Sequence, residues 1–144
     1  MDRKLKTALQ AASLVAALGM SMSPAMAWAD GSWDSIAVDD TVGHRGGNAG
    51  YGVGTADTAT AADQQAMEAC AKAGNTSCKV MLHYRYACGA YASSRTKYGT
   101  GVVPESPTVS PSVIEGQARQ LALDNCGNPG CELTISDCVG VPDR

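Results

Sequence analysis

The chain contains no phenylalanine in its 144 residues, and aromatic residues make up only 5% of it. A core drawn from Ala, Val, Leu, Ile, Tyr and Met buries limited apolar area, so a chain of this size gains from added restraint. Basic residues are also scarce, 11 against 14 acidic. That balance excludes the basic face that nucleic acid requires and disfavours docking on anionic lipid. Histidine occurs only at 44 and 83, and there is no Cys-x-x-Cys, so zinc-knuckle spacing is missing. No Gly-x-Ser-x-Gly elbow is present, and no glycine-rich loop carries Gly-Lys-Ser/Thr. The sequence therefore points to no metal, no cofactor and no recognisable catalytic set.

The first residues, Met1-Asp2-Arg3-Lys4-Leu5-Lys6, are basic. An apolar stretch from Ala8 to Met20 follows, and then the small-residue pattern Ala25-Met26-Ala27. This is the layout of a secretory signal peptide over residues 1–27, with cleavage expected after Ala27. The apolar run falls short of the about 20 residues a spanning helix needs, and no later run approaches that length. The expected mature part, residues 28–144, is one domain with no membrane insertion. Losing Arg3, Lys4, Lys6 and Asp2 leaves 8 basic and 13 acidic residues, a net charge of −5. Such a charge suits a protein partner with basic patches. The oligomeric state is not specified.

All six cysteines, Cys70, Cys78, Cys88, Cys126, Cys131 and Cys138, lie beyond the leader. An even count in a small exported chain reads as a disulfide framework, and places the protein in the periplasm or outside the cell.

The chain repeats itself. Tyr51-Gly52-Val53-Gly54, a helical stretch ending at Cys70, a turn, Cys78, an alternating segment and Cys88-Gly89 form one copy. Tyr98-Gly99-Thr100-Gly101, a helical stretch ending at Cys126, a turn, Cys131, an alternating segment and Cys138 form the other. Trp33-Asp34-Ser35-Ile36-Ala37 likewise matches Cys88-Gly89-Ala90-Tyr91-Ala92. Ordered self-similarity of this kind is the signature of duplication. Repeat one spans about 33–88 and repeat two about 88–140.

In repeat one, residues 33–38 and 49–54 read as strands, and 60–71 as a helix with Thr60 and Asp63 as a capping-box start. In repeat two, Ser110 precedes Pro111, a cap followed by proline at the first helical position, and the helix runs to Cys126. The closing strands alternate, with Cys78, Val80, Leu82 and Tyr84 on one face and Lys79, Met81, His83 and Arg85 on the other. The expected fold is α+β: two β-β-α-β repeats sharing one core about a pseudo-twofold axis, stapled by disulfides. If the repeats are equivalent, Cys70–Cys78 and Cys126–Cys131 are the same local staple. Cys88 and Cys138 then remain and pair across the two units.

The opening Trp33-Asp34-Ser35-Ile36-Ala37, the alanine-rich helix to Cys70, Cys78-Lys79-Val80 and Cys88-Gly89-Ala90-Tyr91-Ala92 resemble the domain of unknown function 4189 family of small exported bacterial proteins. The resemblance runs from about Trp33 to Val139. It implies export and a two-repeat stapled fold, and no activity. Asp34 stands where the family usually has glycine, and residues 39–48 and 104–111 look locally variable.

Candidate chemistry is thin. His83, beside Arg85, reads as a half-exposed strand residue. His44 lies in a flexible glycine-rich hairpin connection. Asp34, Asp39 and Asp40 read as surface carboxylates, because their spacing does not follow a calcium loop. The tyrosines at 51, 84, 86, 91 and 98 could form a contact platform. Tyr84 is assigned inward, while His83, Arg85 and Tyr86 are assigned outward as candidate contact residues. The expected function is non-enzymatic binding in the cell envelope or exterior. Its most concrete form is an inhibitor or immunity-type protein against a secreted enzyme or toxin. A secreted effector and a hydrolase using His83 with Asp137 are the alternatives.

Overall fold

The computed structural model describes residues 31–43 and 49–139. The expected leader, His44 and the last five residues lie outside the described residues. Two three-stranded antiparallel sheets form, with strand orders β2-β1-β3 and β5-β4-β6. The first unit comprises β1 (Trp33–Asp39), a one-turn helix α1 (Asp40–Gly43), β2 (Gly50–Ala56), α2 (Ala59–Lys72) and β3 (Lys79–Tyr84). The second comprises β4 (Ala87–Ser93), β5 (Tyr98–Pro104), α3 (Pro111–Cys126) and β6 (Glu132–Val139). The fold is α+β, two similar β-β-α-β units. The sheets face each other, and each carries its helix on the outer face. No described helix is long and apolar enough to cross a membrane.

The helices sit unusually close to their sheets. A Cβ built on Gly52 would collide with the Cys70 nitrogen and the Ala66 carbonyl oxygen, and one on Gly54 with the Ala62 carbonyl oxygen and Ala66 nitrogen. In the second unit Gly99 meets Cys126 and Ala122, and Gly101 meets Ala118 and Ala122, through the same backbone atoms. Glycines two apart place bare backbone on one face of a strand. Residues four apart on a helix supply the matching narrow ridge: Ala62, Ala66 and Cys70 in α2, and Ala118, Ala122 and Cys126 in α3. All six are at least 98% buried. Close backbone approach lets a core without phenylalanine reach interior packing density.

The central strands are buried on both faces. Ala37 packs against Ala66 and Cys70 of α2, and Ala90 and Ala92 pack against Ile114, Ala118 and Ala122 of α3. Ile36, Val38, Tyr84, Tyr91 and Val139 fill the layer between the sheets. The two units thus share one core.

Both units carry the same irregularity. The pairing of β1 with β3 shifts register between Ile36 and Ala37, and that of β4 with β6 between Tyr91 and Ala92. The strict alternation expected for residues 78–85 therefore does not hold. Val80, like Cys78, packs on the helix side, whereas Leu82 and Tyr84 face the other sheet. A bulge re-aims side chains in this way, so one strand serves both a helix and the opposite sheet.

The structure joins Cys70 to Cys78, Cys126 to Cys131 and Cys88 to Cys138. The third bridge departs from the symmetry argument. Cys88 lies in β4, directly opposite Cys138 of β6, so the bridge lies within the second sheet and not across the units. Register places Trp33 where unit two has Cys88 and puts Cys88 inside repeat two. Cys88–Cys138 closes the longest loop, 50 residues against 8 and 5. By loop entropy it contributes about 4 kcal/mol, against about 2–2.5 kcal/mol for the local pairs.

Two helix starts also differ from expectation. Thr58, not Thr60, caps α2 by accepting from the Ala61 N–H. Ser110 precedes α3, but its hydroxyl makes no capping bond and pairs with Ser112 instead.

The glycine contacts make a contrasting prediction. Gly52→Ala is expected to cost at least about 3 kcal/mol, because the added methyl meets helix backbone that cannot yield. Gly116→Ala, in α3 with open space around it, is expected to add about 0.5–1 kcal/mol of stability. Denaturant unfolding of the oxidised protein measures both.

Candidate functional site

The contacts between the sheets run β1 and β4 in the same sense. Asp34 approaches Asp137 at one end, and Asp40 meets Tyr91 at the other. The described residues of the β1–β2 link therefore come near the β4–β5 link, and between them lies a cleft of about 210 Å³. The first unit supplies Asp40 and Ala49, and the second supplies Tyr91, Ser94, Lys97 and Tyr98. Connecting loops on a rigid scaffold are where binding residues concentrate.

Two equivalent residues build these links. Asp39 ends β1, is fully buried, and accepts from the Thr41 N–H at 3.0 Å, the Thr41 hydroxyl at 2.5 Å, and the N–H groups of Thr76 and Ser77 at 3.0 Å each. It is not the surface carboxylate that the sequence suggests. The Thr41 hydroxyl and then the Ser77 N–H hold its carboxyl down to about 2, against the opposing effect of burial. Ser94, at the matching place after β4, accepts from the N–H groups of Thr96 and Lys97. Asp39 also ties the first link to the turn before β3 and so fixes Asp40 beside it.

The second unit contributes the aromatic wall. Tyr91 pairs with Thr100 across β4 and β5, and Ser93 pairs with Tyr98, so Tyr91 and Tyr98 are diagonal neighbours on one face. Their rings stack at 6.0 Å, 21° from parallel. Tyr91 is buried, and its hydroxyl donates to Asp40 Oδ1 at 2.7 Å, a bond between the two units. Burial and this bond raise its phenol above the usual range. Tyr98 remains 56% exposed.

The sequence-selected residues His83, Arg85 and Tyr86 are not in this cleft. His83 faces α2, where its Nδ1 lies 3.3 Å from Asp63 Oδ1 and its ring meets Trp33 edge-on at 5.6 Å. The buried Ser35 hydroxyl donates to the same Asp63 oxygen at 2.6 Å. A carboxylate between serine and histidine cannot turn the hydroxyl into a nucleophile, because no imidazole reaches it to take its proton. Unit two has the same seam with other residues: Arg119 donates to Ser136 at 2.8 Å, and Ser136 donates to Glu115 at 2.6 Å. A helix-to-strand clamp built twice from different chemistry is a structural feature. Asp63 is thus spent on the clamp and not on a capping box.

Arg85 and Tyr86 form the link between the sheets, at the end opposite the cleft. Tyr86 takes a left-handed backbone, φ 49°, and its carbonyl accepts from the Glu105 N–H. The Arg85 guanidinium lies 4.8 Å from the Tyr86 ring centroid. Tyr84 is buried and Tyr86 is 41% exposed.

Asp137, the suggested partner of His83, faces the other way, toward Asp34 and Tyr84 between the sheets. The two residues do not converge. Asp34 is also not a surface residue, being 1% exposed. Among the described residues no three His, Cys, Asp or Glu side chains gather as a metal site.

Residues 33–138 match the family described as Domain of unknown function (DUF4189). The chain belongs to the DUF4189 family. No curated protein and no solved structure matches this DUF4189 chain. Its three disulfides fit an oxidising compartment.

The burial and bonding of Asp39 predict an acid limb. A lowered carboxyl contributes stability that is complete above its unfolded value of about 4 and is lost as pH falls toward about 2. Asp39→Asn should therefore be less stable near neutrality and should flatten the stability profile between those pH values in acid titration. His83→Ala breaks a half-exposed pair and should cost less than about 1 kcal/mol.

Proposed function

We propose that this protein is an exported, non-enzymatic binding domain that holds a partner protein at the cleft between its two hairpin links. The observation that carries the reading is the Tyr91–Tyr98 stack. A half-exposed ring is backed by a buried one, and the buried ring is anchored on Asp40 of the other unit. A rigid tyrosine beside a carboxylate offers a large contact with little entropy left to lose, which favours tight association. Export is supported by the basic-apolar-small pattern of residues 1–27 and by the disulfides. The acidic balance suits a basic partner, and a secreted enzyme or toxin blocked by this domain fits both features. The clamp roles of His83, Asp63 and Ser35 leave the hydrolase alternative without support.

Capture with the oxidised protein from envelope and culture fractions, followed by mass identification, tests the proposal. One stoichiometric partner is expected. Tyr98→Ala should weaken its binding about 30-fold, and Asp40→Asn should weaken it less, with both variants folded. Recovery of no partner from either fraction, or equal binding by both variants, would overturn it.

A further inference from the structure

We infer that Asp34, set against Asp137, forms a proton-operated joint between the two units, closed while Asp34 holds a proton and loosened when it ionises. Asp34 opens β1 in unit one, and Asp137 nears the end of β6 in unit two. Across the paired sheets, Asp34 stands opposite Tyr84 and Gly89 opposite Asp137. The pseudo-twofold thus relates Asp34 to Gly89 and Tyr84 to Asp137. Only the mixed arrangement is present: two acids, a phenol and a glycine whose missing side chain makes room for the Tyr84 ring.

The surroundings are poor in compensation. Asp34 is 1% and Tyr84 3% exposed, and both Asp34 Oδ1 and the Tyr84 hydroxyl lack a hydrogen-bond partner among the described residues. The Asp34 carboxyl lies against Thr55 of β2 and Asp137 of β6. Tyr84 of β3 and Glu115 of α3 complete the titratable neighbourhood. The ion pairs among the described residues, His83–Asp63 and Arg119–Glu115, involve neither carboxyl. Two carboxyls can hydrogen-bond only if one retains a proton. Burial, and then the charge of Asp137, push Asp34 up to about 7, against the pull of Thr55. Because the folded value is raised, its contribution to stability is complete below about pH 4 and is lost as pH rises through about 7. At the far end of the same layer the Tyr91–Asp40 bond holds the cleft. The joint stands whether or not the cleft binds a protein.

Thermal unfolding of the oxidised chain from pH 5 to pH 8 tests the joint, with His44→Gln and His83→Gln as background to remove both imidazoles. The midpoint of this parent is expected to fall by about 5 °C or more over that range. Asp34→Asn should abolish most of the fall, and Asp137→Asn, which leaves Asp34 buried but removes the neighbouring charge, should reduce it. Asp137 is only partly buried, so its variant carries the test if Asp34→Asn does not fold. A parent whose midpoint is level or rises with pH, or neutral variants that fall as far as the parent, would overturn the inference.

Discussion

The structure depends on helices that meet their sheets backbone on backbone. The helices α2 and α3 each lie on a strand where a pair of glycines, Gly52 and Gly54 or Gly99 and Gly101, offers no side chains, and a ridge of alanines ending in cysteine seats against them. From that contact the other features follow. The cysteine at the end of each ridge is held where its partner before the next strand can reach it, giving Cys70–Cys78 and Cys126–Cys131. The central strands lie under the helix on one side and the opposite sheet on the other, so small residues suffice on the helix face and Ile36, Val38 and Tyr91 fill the other. The bulge in β3 and β6 lets one short strand serve both layers.

The duplication is strict where packing rules and lapses where it does not. The glycine pairs, helix ridges, bulges and local disulfides coincide. The helix-to-strand clamps, Asp63–His83 in one unit and Arg119–Ser136 in the other, share a place but not a chemistry. The hairpin links differ most. One opens with the helical turn α1 (Asp40–Gly43), and the other is a four-residue turn between Ser93 and Tyr98. The cleft forms where these unequal links meet, so part of the divergence between copies falls at the binding site proposed.

Much of the fold could be read from residue order alone. Tyr-Gly-x-Gly followed by an alanine-rich helix and cysteine, twice over, carries the strand-helix-strand plan and the local staples. What escaped depends on distant contacts. A bulge is a matter of register between strands, and nothing in Val80-Met81-Leu82 marks it. Cys88 looked like a hinge between copies because it sits at their boundary, and only pairing with Cys138 assigns it to the second sheet. Asp34 and Asp39 looked solvated by type, and their burial comes from the second unit in one case and the turn at Thr76 and Ser77 in the other. The Tyr91–Tyr98 stack needs the β4–β5 register, which the tyrosine positions suggest only once that pairing is known.

The central claim is that two units make one core. Native-state hydrogen exchange of the oxidised protein tests it most directly. The account predicts that the slowest amides of β1 and of β4 exchange together, through one unfolding event with a single free energy. Exchange of either unit at distinctly lower free energy than the other, while the second stays protected, would contradict it.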